Sequence, residues 1–272
     1  MSQAEKAVSE GGAGRSGPSR LAIIVPARFG STRLPGKPLA EIGGVPMVVR
    51  VARRGLEADC GSVIVATDDE RVRTACLDHG IAVTMTRADH PSGSDRVHEA
   101  VGALGGERPG IVLVLQGDLP LIDPHHIRAS TEPLERSAAT DIATLATLIE
   151  DADEARNPNV VKVVATPIGG DGAEEGDILR ALYFSRAEAP HGEGPLLHHV
   201  GLYAYRTSAL ERFVALPPGV LERRESLEQL RALENGMRID VRIVGGQPLG
   251  VDSAADLEEA RRLVALGKGV SP

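Results

Sequence analysis

Three cations lie close together in the segment VPARFGSTRLPGKP, which covers residues 25–38. They are Arg28, Arg33 and Lys37, and no acidic residue occurs between Ser19 and Ala40, although the whole chain carries a net charge of -8. Arginine side chains grip phosphate oxygens in pairs, whereas a lysine acts as a compact point charge. Because the segment follows an apolar run, and open α/β sheets bind ligands at the carboxyl ends of their strands, it predicts a triphosphate cradle.

Gly30 and Gly36 allow the backbone of this segment to approach an anion closely and to form a nest of N–H groups. The segment matches neither common nucleotide-binding motif. A Walker A loop requires Ser or Thr where Pro38 follows Lys37, and five residues separate the two glycines instead of four; GxGxxG is also missing from the segment. The alternative is a solvated turn, which leaves the accumulation of cations without an explanation.

Two aspartates occupy places that suit a magnesium ion. Asp118 lies in QGDLP, directly after the apolar run IVLVLQ, and Asp252 lies in GVDS, just before the last predicted helix. Mg²⁺ is typically held by one or two carboxylates together with substrate phosphates and water. The alternatives are that Asp118 serves only to form a turn, and that Asp252 or Ser253 serves only as the N-cap of the helix.

Apolar runs alternate with segments of helical periodicity in the first half of the chain. The predicted strands there are residues 21–27, 62–67, 82–86 and 111–116. One predicted helix follows Pro46, a second follows Asp68-Asp69, and a third covers residues 94–104. This alternation predicts right-handed βαβ crossovers and a mostly parallel sheet.

The second half is richer in strands. The predicted strands are residues 142–149, 160–166, 178–185, 199–205 and 239–244, with a solvated hairpin loop at 169–176. Helices are predicted over residues 225–234 and, after the capping sequence SAAD, from 253 to about 266.

Composition excludes several classes of protein. With 38 acidic and 30 basic residues among 272, the chain lacks the basic face of a general nucleic-acid binder. No apolar run approaches the length of a membrane span, and residues 1–19 lack the apolar core of a signal peptide, so we expect a disordered tail and a cytoplasmic location. Cys60 and Cys76 form no CxxC, and the adjacent histidines at 125–126 and 198–199 lack the spacing of a zinc site.

Nine strings, in this order along residues 21–266, resemble the 3-deoxy-D-manno-octulosonate cytidylyltransferases, or CMP-Kdo synthetases. They are VPARFGSTRLPGKPLAEIGGVPM, IVATDDERV, MTRADHPSGSDR, LQGDLP, NPNVVKVV, ALYFSR, HHVGLYAYR, LERRESLEQLRALENG and GVDSAADLEEAR. The resemblance implies that CTP and 3-deoxy-D-manno-octulosonate (Kdo) give CMP-Kdo and pyrophosphate with Mg²⁺ as cofactor. It also implies a homodimer and an α/β fold: a mostly parallel, Rossmann-like nucleotidyltransferase sheet with helices on both faces, and a smaller β-rich lobe.

The resemblance further implies roles for individual residues. The catalytic set is Lys37, Arg33, Asp118 and Asp252, with the two aspartates as ligands of magnesium. Arg28, Ser31 and Lys37 should hold the triphosphate, and Arg33 should lie between triphosphate and sugar. The expected cytosine contacts are Arg87, Ser92 and Gln116; for Arg87 and Ser92 the alternative is that each only structures the loop. The expected Kdo contacts are Arg186 for the carboxylate, and His199, Tyr203, Glu228 and Gln229 for hydroxyl groups.

These expectations divide the chain into a tail, 1–19, and one nucleotidyltransferase domain, 20–272. Within the domain, 20–138 form the nucleotide-binding half, 139–251 a sugar-binding and dimerisation lobe, and 252–266 a closing helix. Two features depart from the family pattern: Leu119 replaces an acidic residue in QGDLP, and only eleven residues separate Arg186 from His198. They leave open CMP transfer to another ulosonic acid or a phosphonate, and a catalytically inactive nucleotide-binding homologue. CMP-sialate synthetases and hexose-1-phosphate nucleotidyltransferases fit less well, because their phosphate loops differ.

Overall fold

The computed structural model describes residues 21–30, 34–169 and 172–267, so the predicted tail lies outside the described residues. Nine of the described strands form one sheet, in the order β5-β4-β1-β6-β10-β7-β11-β9-β8. The strands of this sheet are β1 (Leu21–Ala27), β4 (Ser62–Thr67), β5 (Val83–Met85), β6 (Ile111–Val114), β7 (Ile142–Ile149), β8 (Lys162–Pro167), β9 (Ile178–Ser185), β10 (Leu196–Arg206) and β11 (Ile239–Ile243). A separate hairpin joins β2 (Glu41–Ile42) to β3 (Val45–Pro46).

Helices cover both faces of the sheet. In chain order they are α1 (Met47–Glu57), α2 (Glu70–Asp78), α3 (Gly93–Gly102), α4 (Pro124–Ala129), α5 (Glu132–Arg136), α6 (Ala152–Arg156), α7 (Thr207–Ala215), α8 (Val220–Glu225), α9 (Leu230–Glu234) and α10 (Ala254–Ala265). A 3-10 turn covers Lys37–Leu39. No helix in the described part of the chain has both the length and the apolar character that a membrane crossing requires.

Strand β1 shows why the sheet is covered on both sides. Ile23 and Val25 pack into the apolar core beneath α1 and α2, whereas Ala22 and Ile24 pack into the core beneath α3 and α7. Successive side chains of a strand point to opposite faces, so a continuous apolar run must be buried on both. The predicted α/β fold is therefore confirmed, and the parallel pairing runs from β5 through β4 and β1 to β6.

The later strands make the sheet mixed. Strand β10 pairs antiparallel with both β6 and β7, β11 pairs parallel with β7, and β8 and β9 form an antiparallel hairpin. This β-rich part continues the same sheet. The helix predicted over residues 225–234 is present only in its second half: α8 ends at Glu225, Ser226 is left-handed with φ of 56°, and α9 covers Leu230–Glu234. The interruption comes from contacts of Glu225 with β9, described below.

Candidate active site

A cleft of about 450 Å³ opens at the carboxyl ends of β1 and β6. It is lined by residues 26–28, by Lys37 and Pro38, by residues 90–93 and Arg96 around the start of α3, by residues 116–118 after β6, and by Asp252. Gly117 allows the loop after β6 to lie against β1, because a Cβ atom at that position would stand 3.0 Å from the Pro26 carbonyl oxygen. The sheet thus places the basic segment and QGDLP at one edge, as the sequence predicted.

Lys37 joins the two predicted metal ligands. Its ammonium donates to Asp118 Oδ2 at 3.2 Å and to Asp252 Oδ1 at 2.9 Å, across 81 and 215 residues of chain. Asp252 reaches this point because the Val251 N–H donates to the Asp118 carbonyl at 2.9 Å. Ser253 provides the N-cap of α10, since its hydroxyl accepts from the Asp256 N–H. The cap and the site are therefore formed by neighbouring residues, and the Asp252 carboxylate contacts Lys37.

The electrostatics of the cluster suit a further cation. Burial raises the pKa of Asp118 above its ordinary value; the Lys37 ammonium opposes this effect and the charge of Asp252 adds to it. Asp252 is the exposed member, with 60% of its side chain accessible. Two carboxylates and one ammonium carry a net negative charge, and carboxylate oxygens are ligands that Mg²⁺ prefers.

The protein donors in this cluster are few. Among the described residues, no group of three or more His, Cys, Asp or Glu side chains is arranged to hold a metal ion. Mg²⁺ retains several waters and takes further oxygens from substrate phosphates. Two carboxylates at the entrance of a cleft therefore suit Mg²⁺ better than a metal whose ligands all come from the protein. The residues present therefore fit magnesium.

The predicted nucleotide contacts divide into three groups. Arg28 and Gln116 line the cleft, and Arg28 is exposed there. Ser31 and Arg33 lie outside the described residues. Arg87 is not among the residues that line the cleft: its guanidinium is exposed and donates to Asp89 at 2.9 and 2.7 Å. Arg87 and Asp89 have opposite charges, lie in one exposed loop and pair with each other. The spacing of the motif did not predict this pairing.

Ser92 lines the cleft and also has a structural role. It is the N-cap of α3, where its hydroxyl donates to Asp95 Oδ2 at 2.7 Å and accepts from the Asp95 N–H. Capping uses the hydroxyl but leaves the residue at the cleft wall. Ser92 thus caps α3 and also lies at the wall of the cleft.

Arg96 is a cleft residue that the sequence reasoning missed. It is only 3% exposed, and its guanidinium donates to Thr86 Oγ1 at 2.5 Å and to Asp68 Oδ2 at 3.0 Å. Arg96 lies four residues after Ser92, on the helix that Ser92 caps. Since residues at this spacing share one face of a helix, Ser92 at the cleft would have pointed to Arg96.

The predicted Kdo contacts form a neighbouring group. The rings of His199 and Tyr203 are 5.4 Å apart, and Phe184 meets His199 edge-on at 5.0 Å. Glu228 Oε2 accepts from the Ser94 hydroxyl at 3.0 Å, which places it beside the first turn of α3 and hence next to the cleft. Gln229 is buried at the start of α9.

Burial decides the charge of this group. It lowers the pKa of His199 to about 3, so the ring is neutral at physiological pH, and His199 Nε2 lies 3.0 Å from the Thr144 hydroxyl. Burial also raises the pKa of Glu228, and raises the pKa of Tyr203 well above its ordinary value. His199 and Tyr203 therefore offer neutral hydrogen-bonding side chains, which suits hydroxyl groups.

Arg186 is anchored at the end of β9. Its Nε donates to the Glu225 carbonyl at 2.8 Å, its Nη1 donates to the Pro158 carbonyl at 3.1 Å, and its backbone N–H donates to the Glu225 carboxylate at 3.0 Å. Glu225 also accepts from Ser185. These contacts hold the chain where α8 ends, which explains the break in the predicted helix.

Leu119, the departure from the family pattern, lies away from the cleft lining. It is 7% exposed and packs in the apolar core that covers the α1 side of the sheet. The missing acidic residue therefore changes the core beneath the site, and Asp118 and Asp252 remain together above it.

Comparisons with known proteins agree on one group. A family model described as Cytidylyltransferase matches residues 22–239. The 3-deoxy-manno-octulosonate cytidylyltransferase of Mesorhizobium japonicum is 59% identical over 244 residues, which cover 89% of this chain and 98% of that protein. The enzyme of the same name from Rhodopseudomonas palustris strain BisB5 is 59% identical over 246 residues, covering 90% and 97%.

A solved structure is also similar. It is a CMP:2-keto-3-deoxy-manno-octonic acid synthetase complexed with CTP, at 39% sequence identity and a TM-score of 0.82. The match covers 91% of this chain and 99% of that one.

Proposed function

The chain belongs to the cytidylyltransferase family, and from this premise we propose that it transfers CMP from CTP to Kdo, releasing pyrophosphate. The anomeric hydroxyl of Kdo attacks the α-phosphorus, the bond from that phosphorus to the β-phosphate oxygen breaks, and the hydroxyl proton is released. The observation that carries the assignment to the cleft is the convergence of Lys37, Asp118 and Asp252 from three distant parts of the chain.

We assign Asp118 and Asp252 as the ligands of a divalent cation, and we propose that this cation is Mg²⁺. When bound, Mg²⁺ would neutralise phosphate charge and so favour departure of pyrophosphate. Lys37 holds the triphosphate together with Arg28, which lines the same cleft. The family resemblance alone assigns Ser31 to the triphosphate and Arg33 to a place between the triphosphate and the sugar.

For the cytosine we retain Ser92 and Gln116, because both line the cleft. Arg87 is not assigned to the base, because its guanidinium is paired with Asp89 outside the cleft lining. For Kdo we retain Arg186 as the partner of the carboxylate. The partners of the hydroxyls are His199, Tyr203, Glu228 and Gln229. The Ser94–Glu228 hydrogen bond supports this arrangement, since it joins the two regions.

The test is pyrophosphate release with CTP, Mg²⁺ and Kdo, with a control lacking the acceptor and a second panel of other ulosonic acids and phosphonates. We expect release that depends on Kdo and that Asp118→Asn abolishes. If pyrophosphate is released only with another acid, that acid is the acceptor of the same CMP transfer. CTP binding without release for any acid would leave an inactive nucleotide-binding homologue.

The proposal includes a homodimer located in the cytoplasm. A reducing compartment agrees with Cys60 and Cys76, both of which are free thiols. The dimer rests on the family resemblance. Sedimentation equilibrium should therefore give a mass of about twice 28.6 kDa, and a monomer at micromolar concentration would contradict this part of the proposal.

A further inference from the structure

Lys162 is a lysine whose side chain has no solvent exposure. Its Nζ donates three hydrogen bonds to backbone carbonyls: to Asn157 at 3.0 Å, to Val160 at 2.6 Å and to Arg186 at 2.8 Å. An ammonium group has three N–H donors, so these three bonds satisfy it completely. Burying a charge is costly unless it is fully hydrogen-bonded, so a lysine retained here needs an explanation.

The charges around Lys162 do not provide that explanation by themselves. Burial lowers its pKa, Glu188 and Glu225 oppose this effect, and Arg186 adds to it. Neither glutamate is among the three acceptors of the ammonium. Lys162 therefore acts chiefly through the backbone segments that its carbonyl acceptors belong to.

Those segments determine where Arg186 lies. Two of the carbonyls, Asn157 and Val160, belong to the loop before β8, and the third belongs to Arg186 itself. The same loop supplies the Pro158 carbonyl that accepts from Arg186 Nη1. Lys162 thus fixes both the backbone from which the arginine side chain starts and the loop that receives its guanidinium.

The position in the sheet strengthens this connection. Lys162 pairs with Ser185 on β9 and with His198 on β10, so three strands meet at this residue. The His199 N–H donates to the Val161 carbonyl at 2.8 Å. Two of the segments that carry proposed Kdo contacts are therefore tied to the start of β8.

We propose that Lys162 is a positioning residue for the acceptor: it orients the guanidinium of Arg186 toward the carboxylate of the sugar acid. The inference rests on the proposed function, in which Arg186 binds that carboxylate. Two carbonyls hold Nε and Nη1 of the guanidinium, which leaves its remaining N–H groups for a ligand. Without the ammonium, three carbonyls lose their donor and the loop is free to shift relative to β9.

The effect should be selective for one substrate. Lys37, Asp118 and Asp252 lie at the ends of β1 and β6 and at the start of α10, and they share no hydrogen bond with Lys162. Lys162→Met has nearly the same length but donates no hydrogen bond. We expect it to raise KM for Kdo about tenfold or more, because a misplaced charge partner weakens carboxylate binding. We expect KM for CTP to change less than about twofold, because the residues assigned to the triphosphate share no hydrogen-bond partner with Lys162.

A double-mutant cycle with Arg186→Ala separates positioning from general destabilisation. Arg186→Ala alone should raise KM for Kdo, and adding Lys162→Met to it should change that KM less than about twofold, because the residue through which Lys162 acts is gone. Effects that multiply in the double variant would overturn the proposal, and so would an unchanged KM for Kdo in Lys162→Met. If Arg186→Ala itself leaves KM for Kdo unchanged, the proposed role of Arg186 is wrong.

Two further variants guard against loss of the fold. Ile127→Ala removes a fully buried side chain from the other core and serves as a control of comparable thermal destabilisation. It should leave both KM values unchanged; a selective rise in KM for Kdo in this control would overturn the reasoning. If Lys162→Met does not fold, Lys162→Gln, which retains N–H donors, is measured below its unfolding midpoint, and equal effects on KM for Kdo and for CTP would overturn the proposal.

Discussion

The ammonium of Lys37 and a divalent cation should compete for the same two carboxylates. Nζ lies 3.2 Å from Asp118 Oδ2 and 2.9 Å from Asp252 Oδ1. A magnesium ion about 2.1 Å from the Asp252 oxygen would therefore lie within about 5 Å of Nζ. At that distance, the repulsion between charges of +2 and +1 is about 2 kcal/mol at the dielectric constant of water and about 7 kcal/mol at an effective value of about 20.

Lys37→Met removes this repulsion, and we expect it to tighten cation binding while it destroys turnover. A flexible lysine relieves part of the repulsion by moving aside, so the lower figure sets the expectation. Since about 1.4 kcal/mol corresponds to tenfold in affinity, Mn²⁺ should bind Lys37→Met at least about tenfold more tightly than it binds the unsubstituted protein. The measurement is Mn²⁺ titration by electron paramagnetic resonance at low ionic strength, without CTP.

Two comparisons make the result interpretable. Arg28→Met removes a cation from the same cleft that forms no ion pair with Asp118 or Asp252, and it should change Mn²⁺ affinity much less. Asp252→Asn should weaken Mn²⁺ binding. If Lys37→Met binds Mn²⁺ no more tightly than the unsubstituted protein, the competition argued from these distances is refuted.

Three further predictions concern catalysis and stability. Asp118→Asn and Asp252→Asn should each lower turnover by about a thousandfold, because each removes a charge from the metal site, with far-ultraviolet circular dichroism unchanged; a near-normal magnesium-dependent rate in either would show that the assignment is wrong. Ser253→Ala should lower the free energy of unfolding by about 1 kcal/mol through loss of the α10 cap, measured by urea denaturation, and an unchanged midpoint would contradict this. Because burial lowers the pKa of His199 to about 3 from an ordinary 6.5, the unfolded chain binds more protons than the folded one between these values, so the free energy of unfolding should fall as pH falls through that window, by about 5 kcal/mol in full. His199→Gln should flatten this part of the pH profile of the unfolding free energy, and an equal slope in both proteins would speak against the buried neutral ring.

Several elements could be predicted from the sequence because local pattern and final structure agree. Strands β7 and β9 have the predicted bounds, since long apolar or alternating runs have no other way to bury their side chains. Asp69 and Ser253 act as N-caps, as their positions before helical segments indicated. The basic segment and QGDLP meet at one edge because both follow parallel strands, which is a consequence of connection rules alone.

Other features depend on partners far away in the chain. The break at Ser226 follows from contacts of Glu225 with the end of β9, and these override the local helical pattern. Arg87 pairs with Asp89, whereas Arg96, on the same motif, is buried at the cleft. The helical spacing from Ser92 indicates the face on which Arg96 lies, but the burial of Arg96 and the exposure of Arg87 are decided by which elements pack over each residue.

Local patterns and the order of the motifs are enough to establish the fold class, the strand edge at which the site forms, and the family. Long-range packing is what brings Asp252 to Lys37, and it is what makes Lys162 in VVKVV a buried charge whose ammonium donates to three carbonyls. The physical reason is the range of the interactions. Periodicity and connection rules act over a few residues or one crossover, whereas the charge state and partners of a side chain depend on every segment that excludes water from it.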